Sequence, residues 1–280
     1  MTADFRFDRS HWALILGASS GFGAATAREL ARHGMNIFGV HFDRAATMPA
    51  VNKTIKELEA TGVKVQYFNV NASDPDKRNE VLDEIKKRSD SESGSTIRVL
   101  MHSLAFGSLK PLVSATPDQC LSQAQVEMTM DVMANSIVYW TQGVVQRGLM
   151  KQGGRIFGMT SSGGHGQLMN YGAVSAAKAA LESYLRQLAL ELGPIGITAN
   201  AVLAGVTDTP ALRKIPGSEA MLSIAKARNP SLRNGTPEDV AKAITLLSHE
   251  NAYYISGNTI HVDAGEDVVE YIGQSSALEM

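Results

Sequence analysis

Apolar residues along this chain fall into two patterns: short uninterrupted runs, and longer stretches in which they recur every three or four positions. The first run, residues 12–17, has no polar alternation, as expected for a strand that is buried on both faces of a parallel sheet. Similar short runs predict further strands at residues 35–42, 63–70, 97–104, 154–159, 197–203 and 258–262.

Stretches with helical periodicity separate these runs. They predict helices at residues 24–33, 48–61, 74–88, 116–151 and from Asn170 to the Gly193-Pro194 pair. Strands that alternate with helices at this spacing form a parallel sheet with helices on both faces. The sequence therefore predicts an α/β fold with one doubly wound parallel sheet of about seven strands. Because no internal repeat or linker interrupts the chain, we expect residues 1–280 to form a single domain.

The stretch between Gly205 and Thr236 departs from this regular alternation. It contains Pro210, Pro216 and Pro230, and it follows the carboxyl end of a predicted strand, where sheets of this kind bind ligands. Residues 205–235 are therefore predicted to be either a substrate lid or an ordinary pair of surface helices.

Composition and charge limit the class of protein. Hydrophobic residues make up 44% of the chain and charged residues 19%, which is ordinary for a soluble globular protein. The net charge of -2 gives no reason to expect nucleic acid or a membrane as a partner. The single cysteine, Cys120, excludes an internal disulfide and fits a reducing compartment, and no signal-like or membrane-spanning apolar run is present. We therefore expect a soluble, cytoplasmic protein.

A glycine-rich turn links the first predicted strand to the first predicted helix. Such a turn lets backbone amides and a helix N-terminus face a pyrophosphate, whose negative charge the helix dipole favours. Serine hydroxyls within the turn add hydrogen-bond donors for a phosphate or ribose. The predicted cofactor contacts of this turn are Gly17, Ser19, Ser20, Gly21, Phe22 and Gly23.

Residues 170–181 place a tyrosine and a lysine on one predicted helix that otherwise has small side chains. Tyr171 and Lys178 are seven positions apart, almost two helical turns, so both side chains lie on one face. A phenol beside an ammonium can polarise a carbonyl oxygen. A core tyrosine and a solvated lysine would show the same spacing, so this pair needs support from the rest of the chain.

The Gly-x3-Gly-x-Gly spacing and the Tyr/Lys helix together resemble the short-chain dehydrogenase/reductase family, whose fold is Rossmann-like. The resemblance covers residues 12–265. It implies that Asn69 and Val70 hold the adenine, and that Gly205 and Thr209 belong to the loop around the nicotinamide. Family members of this kind form tetramers through their fourth and fifth helices, so the resemblance also implies a homotetramer.

Departures from the common family pattern indicate one branch. Most members carry the lysine four residues after the tyrosine, where this chain has Ser175. The Tyr-x6-Lys spacing is instead similar to that of enoyl-acyl-carrier-protein reductases. The stretch 101–106 resembles their His-Ser-x-x-Phe segment, and the family's catalytic asparagine falls near Met133. Within the 101–106 stretch, the resemblance implies cofactor contacts at Ser103, Leu104 and Ala105.

The resemblance implies a role for each residue of the predicted catalytic group. Tyr171 would donate a hydrogen bond to the thioester oxygen during reduction of the C=C bond. Lys178 would hold the ribose hydroxyls and lower the pKa of the phenol. A serine at position 161 is similar to the divergent, NADPH-using branch of these reductases. Ser161 either orients the same oxygen or is a serine at a strand end whose hydroxyl is hydrogen-bonded to the backbone. His102 and His165 have no partner visible in the sequence, so we predict pocket-wall or loop positions for them.

The end of the second predicted strand bears on the choice of cofactor. The family's acidic position falls on His41, and Arg44 is close enough to pair with a 2′-phosphate, which favours NADPH. A shift of two residues would make Asp43 the ribose ligand, so NADH remains possible. No residue is predicted to bind a metal.

Three functions are compatible with these patterns. The favoured one is NAD(P)H-dependent reduction of an enoyl thioester carried by acyl carrier protein or CoA, as in fatty acid synthesis. The alternative within the family is reduction of a 3-oxoacyl or other carbonyl group, against which Ser175 argues. A third is a dinucleotide-sensing module without catalysis.

Overall fold

The strands form a single sheet in the computed structural model, which describes residues 5–269. The strand order is β3-β2-β1-β4-β5-β6-β7, and every neighbouring pair is parallel. The strands are β1 (His11–Leu16), β2 (Asn36–His41), β3 (Val65–Asn69), β4 (Thr96–His102), β5 (Arg155–Thr160), β6 (Thr198–Ala204) and β7 (Thr259–Val262). The predicted doubly wound α/β fold is confirmed.

Helices cover both faces of this sheet. They are α1 (Gly21–Arg32), α2 (Met48–Glu59), α3 (Pro75–Ser91), α4 (Gln123–Met130), α5 (Ser136–Gln146), α6 (Gly172–Leu192), α7 (Ser218–Arg228) and α8 (Pro237–Leu247). Alternate residues of β1 enter different cores: Leu14 and Leu16 pack with residues of α3, α5 and α6, while Ala13 and Ile15 pack with residues of α1, α2 and α8. Because β1 is buried on both faces, it needs the unbroken apolar run found in the sequence.

The chain changes direction in the sheet between β1 and β4. β2 and β3 extend the sheet on one side of β1, and the chain then returns to place β4 on the other side. At this switch point, the turn after β1 and the segment after β4 come into close contact. A Cβ atom on Gly17 would lie 2.4 Å from the Ser103 carbonyl oxygen, and the φ of Gly17 is +90°. Such a crevice at the carboxyl ends of the strands is where sheets of this type bind ligands.

The long helical region predicted over residues 116–151 is present but shorter and less regular than expected. A 3-10 turn at Pro117–Gln119 is followed by α4, a π-helical turn at Asp131–Asn135, and α5. The hydroxyl of Ser122 accepts a hydrogen bond from the Gln125 amide and begins α4 with a capping box. Apolar periodicity continues across these breaks, because it reports which side of the chain is buried rather than the backbone hydrogen-bond pattern.

One helix was missed in the sequence. α8 was not predicted, although Thr236 and Asp239 form a capping box at its start and Pro237 occupies its first turn. Residues 205–235 contain α7, and a bridge between Thr207 and Gly235 closes their base, so both alternatives for this stretch, a substrate lid and surface helices, stay predictions. No helix within residues 5–269 combines the length and apolar content needed to cross a lipid bilayer.

Candidate active site

The glycine turn after β1 is tightly closed. A Cβ atom on Gly23 would lie 2.1 Å from the Gly17 carbonyl oxygen, so a larger residue would force the backbone apart. Ser20 is extended and exposed, and its hydroxyl does not cap α1, while Phe22 packs partly buried against the core. The first amides of a helix have no partner within the helix, so this uncapped terminus offers donors to an anion at the crevice.

The carboxylate of Asp43 lies between the end of β2 and the glycine turn. Its Oδ2 atom is 3.0 Å from Nδ1 of His41, which is buried. Burial raises the pKa of Asp43, but hydrogen bonds from Thr47, Ser19 and His41 outweigh that effect and hold the pKa below its usual value. Arg44, by contrast, is exposed. The structure thus brings Asp43, rather than His41 or Arg44, to Ser19 of the turn.

Asn69, at the end of β3, is engaged with the neighbouring loop. Its amide group accepts a hydrogen bond from the Asp43 backbone nitrogen and donates one to the Asp43 backbone oxygen, each at 3.0 Å. The Val70 amide donates to the His41 carbonyl at 2.8 Å. The two residues predicted at the adenine therefore also hold the loop that carries Asp43.

The segments after β4 and β6 reach the same crevice. The Ser103 amide donates to the Leu16 carbonyl at 2.9 Å, which holds the Ser103–Ala105 stretch beside the glycine turn; Leu104 is half-buried and Ala105 exposed. A Cβ atom on Gly21 would lie 3.6 Å from the Thr209 methyl group, so residues 205–235 touch the turn. Gly205 lies against Glu266 instead, where a Cβ atom would be 3.0 Å from Oε2.

The sequence predicted a helix that begins at Asn170. In the structure, α6 begins at Gly172, and Tyr171 immediately precedes it. Its ring lies against Gly163, where a Cβ atom would be 2.6 Å from the ring and 3.2 Å from the Ser161 oxygen. Burial raises the pKa of the Tyr171 phenol, and the Ser161 hydroxyl partly offsets this rise. The Ser161 hydroxyl is buried and has no partner with good hydrogen-bond geometry among residues 5–269.

Lys178 is more deeply buried than Tyr171. It is 6% exposed, and its Nζ atom donates to the Met159 carbonyl at 2.7 Å. Burial lowers the pKa of Lys178 to about 8, against the opposing effect of Glu182. The sequence analysis expected this ammonium to lower the pKa of Tyr171. That expectation is wrong for the protein without a ligand, because burial of the phenol has the larger effect and raises its pKa.

Ser175 lies four residues after Tyr171, at the position where most members of the family that the sequence resembles carry the lysine. It is buried, and its hydroxyl donates to the Gly163 carbonyl and approaches Oε1 of Gln167 at 3.3 Å. Ser175 therefore holds the loop between β5 and α6, which carries Ser161. It has no charge to offer a ligand.

Two polar groups beside Lys178 were missed or left unused in the sequence analysis. Glu182 lies one turn after Lys178 on α6 and accepts a 2.6 Å hydrogen bond from the Thr160 hydroxyl. Its spacing of four residues from Lys178 was the available signal. His102, at the end of β4, is completely buried and hydrogen-bonded to Ser136. Within residues 5–269, no cluster of His, Cys, Asp or Glu is arranged to hold a metal ion.

The geometry thus combines a glycine turn, a buried lysine and a tyrosine at the switch point of a parallel sheet. The sequence model of the family described as Enoyl-(Acyl carrier protein) reductase matches residues 17–266. The chain belongs to the short-chain dehydrogenase/reductase family, in this enoyl reductase branch. The resemblance found in the sequence is confirmed, and the protein is an oxidoreductase of that family.

Curated relatives within this family fall into two reaction classes. The 1-cyclohexenylcarbonyl-CoA reductase of Streptomyces collinus is 29% identical over 94% of this chain and 89% of its own length. The 3-oxoacyl-[acyl-carrier-protein] reductase FabG of Pseudomonas aeruginosa is 31% identical over 90% of this chain and 96% of its own.

The solved structure of FabI from Candidatus Liberibacter asiaticus has a similar fold. It superposes with a TM-score of 0.81 at 24% identity, and covers 95% of this chain and 98% of its own. At this identity, the likeness concerns the fold alone.

Proposed function

We propose that this short-chain dehydrogenase/reductase reduces the C=C bond of an enoyl thioester. The observation that carries the proposal is the place of the buried ammonium, seven residues after Tyr171 at Lys178, with Ser175 committed to the loop in front of it. A ketone reductase of the common type would need the ammonium at position 175. The sequence model matched by residues 17–266 supports the same choice.

The residues of the site suit this reaction. A bound nicotinamide dinucleotide would supply the hydride, and a proton from solvent would complete the saturation of the double bond. When hydride reaches the β-carbon, negative charge builds on the thioester oxygen, and the Tyr171 hydroxyl donates a hydrogen bond to that oxygen. Burial holds the pKa of Tyr171 above its usual value, so the phenol keeps its proton at neutral pH and remains a donor.

The chain's own groups fit such a cofactor. The uncapped start of α1 suits the pyrophosphate, and Lys178 has ammonium protons beyond the one given to Met159, which suit ribose hydroxyls. The buried Ser161 hydroxyl, which lies beside the Tyr171 phenol, suits the carboxamide or the thioester oxygen. We also propose that residues 205–235 act as the substrate lid, because Thr209 already touches Gly21.

We infer that NADH is preferred to NADPH, contrary to the expectation based on Arg44. The Asp43 carboxylate is ordered beside Ser19, and its lowered pKa keeps it ionised at neutral pH. A carboxylate there accepts hydrogen bonds from both ribose hydroxyls and repels a 2′-phosphate. Arg44 is exposed, so its charge is screened by solvent.

Asp43→Asn should lower the ratio of the NADPH Kd to the NADH Kd about tenfold, because it removes the like charge and keeps the shape. Fluorescence titration of both cofactors measures the ratio. Arg44→Gln is the matched variant and should leave the ratio within about twofold. A wild-type preference for NADPH that Arg44→Gln abolishes would contradict our inference and support the choice made from the sequence.

The substrate class can be tested with two thioesters that differ at the reacting bond. We expect kcat/KM with a crotonyl thioester to exceed that with an acetoacetyl thioester at least about tenfold, because Ser175 leaves the common ketone-reducing arrangement incomplete. Cofactor oxidation is followed at equal enzyme concentration. Turnover of the acetoacetyl compound alone would indicate a 3-oxoacyl reductase, which the identity to FabG makes the second candidate. Tight cofactor binding without turnover of either thioester would indicate a dinucleotide sensor.

The carrier of the acyl group and the assembly are further proposals. The names of the two curated relatives specify acyl groups on CoA and on acyl carrier protein, so we propose a thioester of one of these carriers as the substrate. The homotetramer implied by the family resemblance stays a prediction.

A further inference from the structure

The carboxylate of Glu266, a buried residue that follows β7, connects the two ends of residues 205–235. Its Oε1 atom accepts a hydrogen bond from the Val206 amide at 3.0 Å, and its Oε2 atom accepts one from the Asn229 side chain at 3.2 Å. Val206 lies just after β6, at the start of this stretch, and Asn229 lies just after α7, towards its end. A single side chain from outside the stretch therefore holds both ends together.

The orientation of the buried Asn229 amide group is fixed by its other partners. Its Oδ1 atom accepts hydrogen bonds from the Ser231 amide and hydroxyl, at 2.9 and 2.7 Å. Its Nδ2 group therefore faces Glu266, and it also donates to the Asp263 carbonyl at 3.0 Å. Both oxygens of Glu266 thus act as acceptors. A carboxylate satisfies this pattern, whereas a neutral amide of the same size has only one acceptor oxygen.

An uncommon backbone turn directs Glu266 towards these partners. Ala264 and Gly265 both have positive φ angles, of 54° and 85°. The buried carboxylate of Asp263 holds the turn, because it accepts hydrogen bonds from the Gly265 amide at 3.0 Å and from the Asp267 amide at 2.9 Å. A left-handed conformation at alanine is strained and persists only where the surrounding contacts impose it. The direction of the Glu266 side chain is therefore imposed by the structure.

The start of the 205–235 stretch leads from Glu266 to the proposed cofactor crevice. Gly205 lies against the Glu266 carboxylate, and the Thr207 hydroxyl donates to the Gly205 carbonyl at 2.8 Å. Thr209, further along, lies against Gly21 of the glycine turn. A displacement at Glu266 would therefore move the segment that borders the proposed dinucleotide site.

We propose that Glu266 is a positioning residue: by holding Val206 and Asn229 together, it fixes the path of residues 205–209 beside the cofactor and keeps the base of the lid closed. In this role the carboxylate acts through the backbone of Val206 rather than on a ligand. The inference rests on the proposed cofactor site and lid, but not on the choice between C=C and C=O reduction.

An exchange of donor and acceptor between the two side chains tests this role. Glu266→Gln leaves one acceptor for two donors, and Asn229→Asp brings two carboxylates together. Either variant should raise the Kd of the dinucleotide about tenfold. The double variant places a donor at position 266 opposite an acceptor at position 229 and keeps one oxygen for the Val206 amide. Because it loses only the bond to the Asp263 carbonyl, its Kd should return to within about threefold of the wild-type value.

Glu238→Gln is the matched control for these variants. It makes the same chemical change at an exposed carboxylate on α8 and should leave the Kd within about twofold. Fluorescence titration measures the Kd, and thermal unfolding measures stability on the same preparations. A merely structural role predicts single variants that are less stable but bind the dinucleotide as tightly as wild type. That result, or a double variant that binds no better than the single variants, would overturn the proposal.

Hydrogen exchange in the wild-type protein gives a measurement that needs no variant. Coupling between two sites is reciprocal, so a contact that strengthens cofactor binding is itself strengthened by the cofactor. Saturating dinucleotide should slow exchange of the Val206 amide at least about tenfold, as measured by NMR. The Lys64 amide is the reference, because it also donates to a side-chain oxygen, that of Asn36 at 2.9 Å, at the opposite end of the sheet.

This exchange measurement decides the outcome if a variant does not fold. Equal slowing at Val206 and Lys64, or none at Val206, would overturn the proposal. A wild-type protein that binds no dinucleotide would overturn both the proposed function and this inference. Cofactor binding without turnover of an enoyl thioester would overturn the proposed reaction alone and leave the tests of Glu266 valid.

Discussion

Tyr171→Phe should lower kcat for an enoyl thioester about 100- to 1000-fold while leaving the Kd of the dinucleotide within about twofold. The variant removes only the hydroxyl, which we propose donates to the oxygen that becomes negative in the transition state. The ring stays, so its contact with Gly163 and the path of the loop are preserved. Loss in kcat at unchanged cofactor affinity is the signature of an interaction made only in the transition state.

Steady-state kinetics and cofactor titration on the same preparation test this prediction. Tyr184→Phe is the matched control, because Tyr184 also belongs to the α6 region but donates its hydroxyl to Asn135 at 3.0 Å. That variant should keep kcat within about twofold. Full activity of Tyr171→Phe would show that the phenol is not the donor and would leave the buried hydroxyl of Ser161 as the remaining candidate.

Lys178→Met should weaken dinucleotide binding about 10- to 100-fold and abolish most turnover, yet stabilise the fold at neutral pH. The binding loss follows from removal of an ammonium that we propose donates to the ribose hydroxyls, since hydrogen bonds from charged groups are the stronger ones. Methionine has a similar length and fills the same buried space without a charge.

The gain in stability follows from the low pKa of Lys178. Folding moves this pKa from 10.5 to about 8, so keeping the buried group protonated below pH 8 costs about 3 kcal/mol. Loss of the hydrogen bond to Met159 offsets about 1 kcal/mol of the gain. Between pH 8 and 10.5, the unfolded wild-type chain binds a proton that the folded one has lost, so wild-type stability rises through this range and the advantage of the variant disappears.

Urea unfolding of both proteins at pH 7 and at about pH 10 measures this difference, because all other titrating groups are common to the two chains. Lys53→Met is the control, since the Lys53 side chain is 80% exposed and its replacement should change the free energy of unfolding by less than about 0.5 kcal/mol. A variant that is less stable than wild type at pH 7 would contradict the burial of an uncompensated charge at Lys178.

Local patterns were enough to predict the sheet and the glycine turn that follows its first strand. The strands of a parallel sheet are buried on both faces, so each appears in the sequence as an apolar run, and Gly17 to Gly23 follow the first run directly. The break between α4 and α5 was missed because burial continues through the π-helical turn. α8 was missed although its capping residues, Thr236 and Asp239, were visible.

The arrangement around the lysine depends on contacts that no local pattern contains. Asp43 meets Ser19 only because β1 and β2 are neighbours, and the Glu182 carboxylate meets Thr160 across 22 positions of the chain. The same is true of His102, which has no partner nearby in the sequence but meets Ser136 on the helical layer.

The sequence by itself determined the family, the parallel sheet and the seven-residue spacing of Tyr171 and Lys178, because each follows from short-range periodicity or from a motif. Only the tertiary structure decided the electrostatics of the site. Burial, rather than the neighbouring ammonium, governs the pKa of Tyr171, and the pairing of β5 with β4 fixes the position of Met159, whose carbonyl accepts the hydrogen bond from Lys178. Desolvation and strand register arise from the packing of distant segments, so neither quantity exists until the chain has folded.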